Sequence, residues 1–308
     1  MIKYYVSELV RRYRIKLFNQ EVIKVLQTAP VVFKPNAPLI VSMVHHRDVL
    51  PYLAAVKSFV RYVPVSGVVV VADKSIDNQD RETFRAQMPG VIIRDASEFV
   101  RDGIPSGGCW ERLVAISNYA ATHYVIQLDA DTLTVSEPSS VIQAIKNNIS
   151  FTLGTYDLQA KVNVLEVARW AQSHCTNNAN PHIQLICESK IMTASNGDES
   201  KVYIRGCAGF AGFGVGSFSE DDVRTLSARM NSALKEIWSK WGTEQFASNY
   251  IVSNVDKSVV LPHPVYTTPD RINHTTVFVH FIGPLRYSGG KYLRMLQQFL
   301  QSENKLTA

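Results

Sequence analysis

Short apolar runs without polar alternation, separated by amphipathic stretches, dominate the first 135 residues. Leu39-Ile40-Val41-Ser42-Met43-Val44 predicts a buried strand, followed by a His45–Asp48 loop and a helix over Leu50–Phe59 with Pro51 near its start. Val68–Asp73 predicts a second strand ending in an acid, Asp80–Gln87 a helix, and Val91–Ile93 a third strand after Pro89-Gly90. A helix over Trp110–Ala121 leads into Tyr124-Val125-Ile126-Gln127-Leu128, and Thr132–Val135 resumes a β-like pattern. Non-alternating apolar strands joined by helices mean a mostly parallel sheet covered on both faces, with functional groups outside the carboxyl ends of its strands. His45, Asp73 and Asp129 fall at such ends.

The second half is less regular. Val141–Asn147 and Val162–Ser173 read as helices, Ser150–Tyr156 as a strand, and Asp221–Lys240 as one long helix. The segment Gly206–Gly216 is glycine-dense but has no phosphate-loop Lys-Ser/Thr. Its glycines suit either close passage of the backbone past a ligand or metal loop, or tightly packed strands and bulges. Thr276–Phe281 predicts a strand, and Tyr292–Leu300 a closing helix.

At 308 residues and 46% hydrophobic, the chain can bury a large core. No apolar run is long enough to span a membrane, and the start lacks a basic head followed by a clean apolar core, so no secretory signal is expected. Four scattered cysteines with no zinc spacing suit a reducing compartment. The charge is the informative quantity. Lys3, Arg11, Arg12, Arg14, Lys16, Lys24 and Lys34 against Glu8 and Glu21 account for the whole net charge of +5. Val6, Val10, Tyr13 and Leu17 follow a helical spacing beside those cations. The segment is therefore either an ordinary packed surface helix or a contact for an anionic membrane surface. No nucleic-acid motif accompanies it, and nucleic acid is not an expected partner.

The chemistry centres on Asp129-Ala130-Asp131, two carboxylates two residues apart at a strand end and so on one face of extended chain. Such oxygen ligands favour magnesium or manganese. His280 ends another apolar run and precedes a loop with Gly283, Arg286, Gly289, Gly290 and Lys291. An imidazole beside two carboxylates favours manganese, and Arg286 and Lys291 are candidate contacts to a diphosphate. Glu244, before Gln245, sits at the start of a predicted helix that Thr243 would cap, and a carboxylate beside a carboxamide suits sugar hydroxyls.

These residues resemble those of GT-A-fold glycosyltransferases, nearest to the family 8 type of retaining enzymes that use nucleotide-diphosphate sugars. The resemblance implies that Asp129 and Asp131 bind manganese and the donor diphosphate. A family motif His-x-x-Gly-x-x-Lys is matched by His280-Phe281-Ile282-Gly283, which implies that His280 is the third metal ligand. The next lysine, Lys291, comes several residues late, with Arg286 close to the expected basic position, and the family's Lys-Pro-Trp ending is missing. Glu244-Gln245 resembles the family's Asp-Gln pair near the donor sugar. Arg112 resembles a basic residue on the helix before Asp-x-Asp, and Asp73 an acid that helps to place the nucleotide.

The expectation is an α/β protein with a GT-A (Rossmann-like), mostly parallel central sheet and helices on both faces. Residues 1–35 would form a basic helical annex and 36–308 the nucleotide-sugar transferase domain. The activity would be metal-dependent transfer from a UDP-sugar to a glycan, lipid or protein acceptor, with retention, or with inversion if Glu244 serves as the general base. Glu244 and Gln245 would be catalytic. His45, Asp73, Arg112, Asp129, Ala130, Asp131, Gly283, Arg286 and Lys291 would cradle the donor, and Asp129, Asp131 and His280 the Mn2+, with Mg2+ as the alternative. The polar 157–200 region, with Trp170 and His174, would line the acceptor site. The expected location is cytoplasmic, with peripheral contact at the membrane as the alternative to a free protein. A nucleotidyltransferase is the competing enzyme, though its usual glycine after the first strand is absent from His45-His46-Arg47-Asp48; an inactive carbohydrate- or membrane-binding relative is the non-enzymatic alternative.

Overall fold

The computed structural model describes residues 2–156 and 159–307, with side chains described for residues 8–303 of these apart from Pro284. Its strands are β1 Leu39–Val44, β2 Gly67–Ala72, β3 Ile92–Asp95, β4 Val125–Leu128, β5 Thr132–Thr134, β6 Ser150–Gly154, β7 Val162–Asn163, β8 Val202–Tyr203, β9 Gly206–Phe213, β10 Ser258–Leu261, β11 Tyr266–Thr267 and β12 Phe278–His280. The helices are α1 Ile2–Val22, α2 Val49–Val60, α3 Asn78–Gln87, α4 Trp110–Ala120, α5 Ser139–Lys146, α6 Val164–Thr176, α7 Ile183–Glu188, α8 Ile191–Ala194, α9 Glu220–Leu234, α10 Thr243–Asn254 and α11 Lys291–Thr307.

Seven strands form the central sheet in the order β10-β6-β9-β4-β1-β2-β3. β1 is parallel to β2 and β4, β2 to β3, and β6 to β10. Only β9 runs against its neighbours β4 and β6. Helices cover both faces, and two apolar clusters, one on each side, follow from the odd and even residues of the strands: Ile40, Val68 and Val70 on one, Val41, Val69 and Val71 on the other. Burial of both faces is why these strands are continuous in Val and Ile. Full burial of one such side chain contributes about 1.5–3 kcal/mol.

The glycine-dense segment is β9 itself. A Cβ at Gly212 would lie 2.3 Å from the Phe151 ring, and one at Gly209 2.0 Å from Cε1 of His280. Glycine therefore serves close packing of an antiparallel strand, at one position against the imidazole singled out above. Two expectations are corrected. The long helix over Asp221–Lys240 ends at Leu234, because Lys235 takes φ +50° and a short 3-10 segment, Lys235–Ser239, follows. The cap of α10 is Gly242 at φ +97°, not Thr243, whose hydroxyl instead donates to the Trp238 and Lys240 carbonyls.

The chain ends pack together. α1 lies on α11, with Phe18 4.3 Å (ring centroids) from Tyr292 and 5.4 Å from Tyr287. Buried Lys57 of α2 ties down the connection after α1, donating to the Thr28 and Ala29 carbonyls, the Thr28 hydroxyl and Gln87. Burial lowers its pKa to about 8.

Candidate functional site

Parallel strands β1, β2 and β4 end on one edge of the sheet, where the chain turns into His45, Asp73 and Asp129. β4 is followed at once by the hairpin-like return through Ala130 and Asp131 into β5, which leaves the central sheet to pair with β12. That pairing sets His280 opposite Thr132, and the Phe281 amide donates to the Asp131 carbonyl at 2.7 Å. Two segments about 150 residues apart in sequence are thereby locked together by backbone bonds. The Asp129 amide donates to Gly209 of β9 at 2.9 Å, and Tyr292 donates to the Ala130 carbonyl at 3.3 Å.

The result is a cluster in which ligand atoms of Asp129, Asp131 and His280 all lie within 4.8 Å of one another. His280 Nε2 is 3.1 Å from Asp131 Oδ1, and its Nδ1 is 3.2 Å from Cys207 Sγ. Burial alone would lower the His280 pKa, but Cys207 and Asp131 outweigh it and hold the imidazole well above its usual value. The carboxylates diverge. Burial raises Asp129, with Arg112 and His280 only partly offsetting it and Asp131 adding to the rise. For Asp131, burial is overcome by His280 and Arg286, and the group is held low. Two acids and one imidazole, with the acids facing each other, are a donor set that a divalent cation would both fit and relieve.

Two arginines balance the acids. Arg112 of α4, buried, holds Asp129 through Nη1 and Glu244 of α10 through Nη2 at 3.2 Å. The N-termini of α4 and α10 thus meet at the carboxyl edge of the sheet, as the direction of their following strands requires. Burial raises the Glu244 pKa to about 7, against the pull of Arg112 and with Asp129 adding to it. Arg286 reaches Asp48 at 3.0 Å and lies 4.0 Å from Asp131.

The remaining expected residues divide. His45 and Asp73 face each other at 3.1 Å across the ends of β1 and β2. Gln245 donates its amide to Gln184 at 2.6 Å, which leaves its carbonyl oxygen unclaimed by that bond. Gly283 is exposed at φ +48° in the loop after β12. Lys291 Nζ donates to the Pro269 carbonyl at 2.5 Å, and among the described residues no hydrogen bond or ion pair joins it to the three-residue cluster. In the 157–200 region, Asp157 and Leu158 lie outside the described residues. Trp170 there lies against His174 at a 34° tilt, ring centroids 4.4 Å apart, and carries the Arg205 guanidinium on its face at 4.7 Å.

Sequence reasoning missed Asp48, Cys207 and Gln184. None stands in a motif, and only the fold brings them beside Arg286, His280 and Gln245. It also missed Trp241, 74% exposed and placed between Gly108 before α4 and the start of α10. A second cluster, His46, Asp77 and Asp80, is also spaced to suit a divalent ion. Its groups are engaged in capping α3: the Asp77 carboxylate accepts from the Asp80 amide, and Asp80 accepts from the Asp77 amide while lying 2.7 Å from His46.

No protein-family profile and no curated protein matches the sequence. Among solved structures, the chain is similar to the bifunctional glycosyltransferase WbbM in its apo form, with a TM-score of 0.52 and 11% identity over 90% of this chain and 53% of that one. It spans about half the length of WbbM. An active-site mutant of LgtC gives 0.48 at 12% identity, over 86% and 95% of the two chains. Mouse xyloside xylosyltransferase 1, apo form, gives 0.43 at 10%, over 79% and 97%. At these identities the likeness concerns the fold. The chain has a GT-A-like fold, with a largely parallel, Rossmann-like sheet.

Proposed function

We propose that this chain is a metal-dependent glycosyltransferase of the retaining, family 8 type that transfers a sugar from a UDP-sugar. The observation that carries the reading is the convergence of Asp129, Asp131 and His280 at the carboxyl edge of a GT-A-like sheet. Residues 36–308 would form the transferase domain and 1–35 its basic annex.

Asp129, Asp131 and His280 would hold Mn2+, which when bound supplies Lewis-acid neutralisation of the departing diphosphate. Arg286 offers that diphosphate a planar guanidinium, steadied by Asp48. His45, Asp73, Ala130 and Gly283 line the same edge and would bound the nucleotide. Lys291 would contribute only after releasing Pro269.

The state of Glu244 supports retention. Both of its oxygens face the same Arg112 nitrogen, at 3.2 and 3.3 Å, and the carboxylate is buried. A group so engaged is poorly placed to take a proton from an incoming acceptor, as an inverting base must. Gln245, half-buried and oriented by Gln184, is the better candidate to face the sugar, where its carbonyl oxygen would steady an oxocarbenium-like centre. Glu244 then acts by positioning Arg112 and, through it, Asp129.

The test is incubation with a panel of UDP-sugars, with and without Mn2+, followed by NMR of the released sugar. Manganese-dependent UDP release with the anomeric configuration of the donor preserved is expected. No UDP release from any donor, or pyrophosphate release from a nucleoside triphosphate instead, would overturn the reading.

A further inference from the structure

Of the helical stripe expected in α1, Val10 and Tyr13 are exposed and Leu17 is half-buried, and the side chain of Val6 lies outside the described residues. The face of α1 and its short continuation that meets the core is Phe18, Val22 and Val25, all buried. Leu9 and Tyr13 are 66% and 62% exposed, Val10 is also exposed, and Leu17 is only half-buried. At 100° per residue, Leu9, Tyr13, Leu17 and Val10 span one arc of about 100°. Arg12 and Lys16 border that arc on one side and Arg14 on the other, and Ile23 extends the exposed side past the helix end. The described part of α1 carries two acids, Glu8, shared by Arg11 and Arg12 at 3.1 Å each, and Glu21, paired with Lys24 at 2.8 Å, and exposed Gln20 interrupts the arc near its end. An apolar arc edged by cations, left bare on a helix whose other side is anchored, is the geometry of a helix that lies in a lipid–water interface.

We infer that the outer face of α1 docks on an anionic bilayer surface, with Leu9, Val10 and Tyr13 entering the headgroup boundary and Arg12, Arg14 and Lys16 meeting lipid phosphates. Charge complementarity selects this occupant: cations flanking exposed apolar groups match the negative potential of an anionic leaflet. Docking leaves the inner face undisturbed. Phe18 still bears on Tyr287 and Tyr292, and Tyr292 bonds the Ala130 carbonyl between the two cluster aspartates. The candidate site therefore stands one aromatic layer from the docked helix. The inference does not depend on the transferase reading, since lipid binding is measured without turnover.

The full chain is sedimented with vesicles of phosphatidylcholine alone and with vesicles carrying one part phosphatidylglycerol to two of phosphatidylcholine. Binding to the mixed vesicles only, released by high salt, is expected. Arg12→Gln with Lys16→Gln should weaken it by roughly tenfold or more, and Leu9→Ser with Tyr13→Ser should also weaken it. All four side chains are exposed, so urea midpoints should match the parent, which separates lost docking from lost folding. A Tyr13→Trp variant adds a signature, a blue shift of its emission on the mixed vesicles. No sedimentation with mixed vesicles, equal binding to both vesicle types, or binding unmoved by either pair of substitutions overturns the inference. In the first case the face is left to a protein partner.

Discussion

Arg112 and Glu244 meet at 3.2 Å with almost no solvent access to either, and the same guanidinium also holds Asp129. A residue on the helix before the Asp-x-Asp turn is thus bound to one on the helix entering from the far half of the chain. Removing the cation leaves buried Glu244 and partly exposed Asp129 without their shared partner. Arg112→Met should cost about 3–5 kcal/mol in urea unfolding, the range for breaking a buried ion pair from one side. Glu244→Gln should cost clearly less, because the amide keeps an acceptor for Arg112 and carries no charge.

Gly209 makes a sharper prediction about position. A methyl group there would overlap the His280 ring, with 2.0 Å to Cε1. Either β9 or the imidazole must move, and β9 is held by strands on both sides. Gly209→Ala should therefore displace His280 and weaken Mn2+ binding by about tenfold or more, read by titration calorimetry. Unchanged affinity would show that His280 stands apart from the metal.

Away from the site, buried Glu188 of α7 pairs with Arg205 at 3.1 Å. Burial nonetheless raises its pKa to about 7, from 4.5, against the pull of Arg205. A raised folded value means that the stabilising contribution is fully present below pH 4.5 and is lost as pH rises through 7. That interval corresponds to about 3 kcal/mol. Compared with the parent, Glu188→Gln should gain relative stability by up to that amount between acid and mildly alkaline pH. Urea midpoints of the two proteins measured across the range check it, and parallel curves would refute it.

What the sequence disclosed follows the physics that each segment obeys. β1 and β2 were legible because strands buried on both faces must be apolar throughout, and Asp73 and Asp129 because acids cannot continue such a run. His280 was legible as the polar end of Phe278-Val279, though its strand belongs to a small separate sheet with β5 and β11. The direction of β9 was not, since glycine's uses for ligand approach and for close packing look the same until His280 and Phe151 are placed against it. Cys207, Asp48 and Gln184 were invisible for a similar reason: each acquires its role from a partner remote in sequence. Lys291 was expected beside the diphosphate from its place in the loop after His280 and from the resemblance's lysine, and at the start of α11 its amine meets Pro269. In α1 the spacing identified a real apolar stripe, but periodicity does not say which side the core takes, and Phe18, Val22 and Val25 take it.

The central claim is that Asp129, Asp131 and His280 form one divalent-metal site that holds a uridine diphosphate. Calorimetric titration of UDP into the parent protein and into Asp131→Asn, each with and without Mn2+, tests it most directly. The parent should bind UDP only when Mn2+ is present, and Asp131→Asn should lose that binding while keeping its urea midpoint near that of the parent. UDP binding of equal strength with and without Mn2+, or binding unchanged in Asp131→Asn, would contradict it.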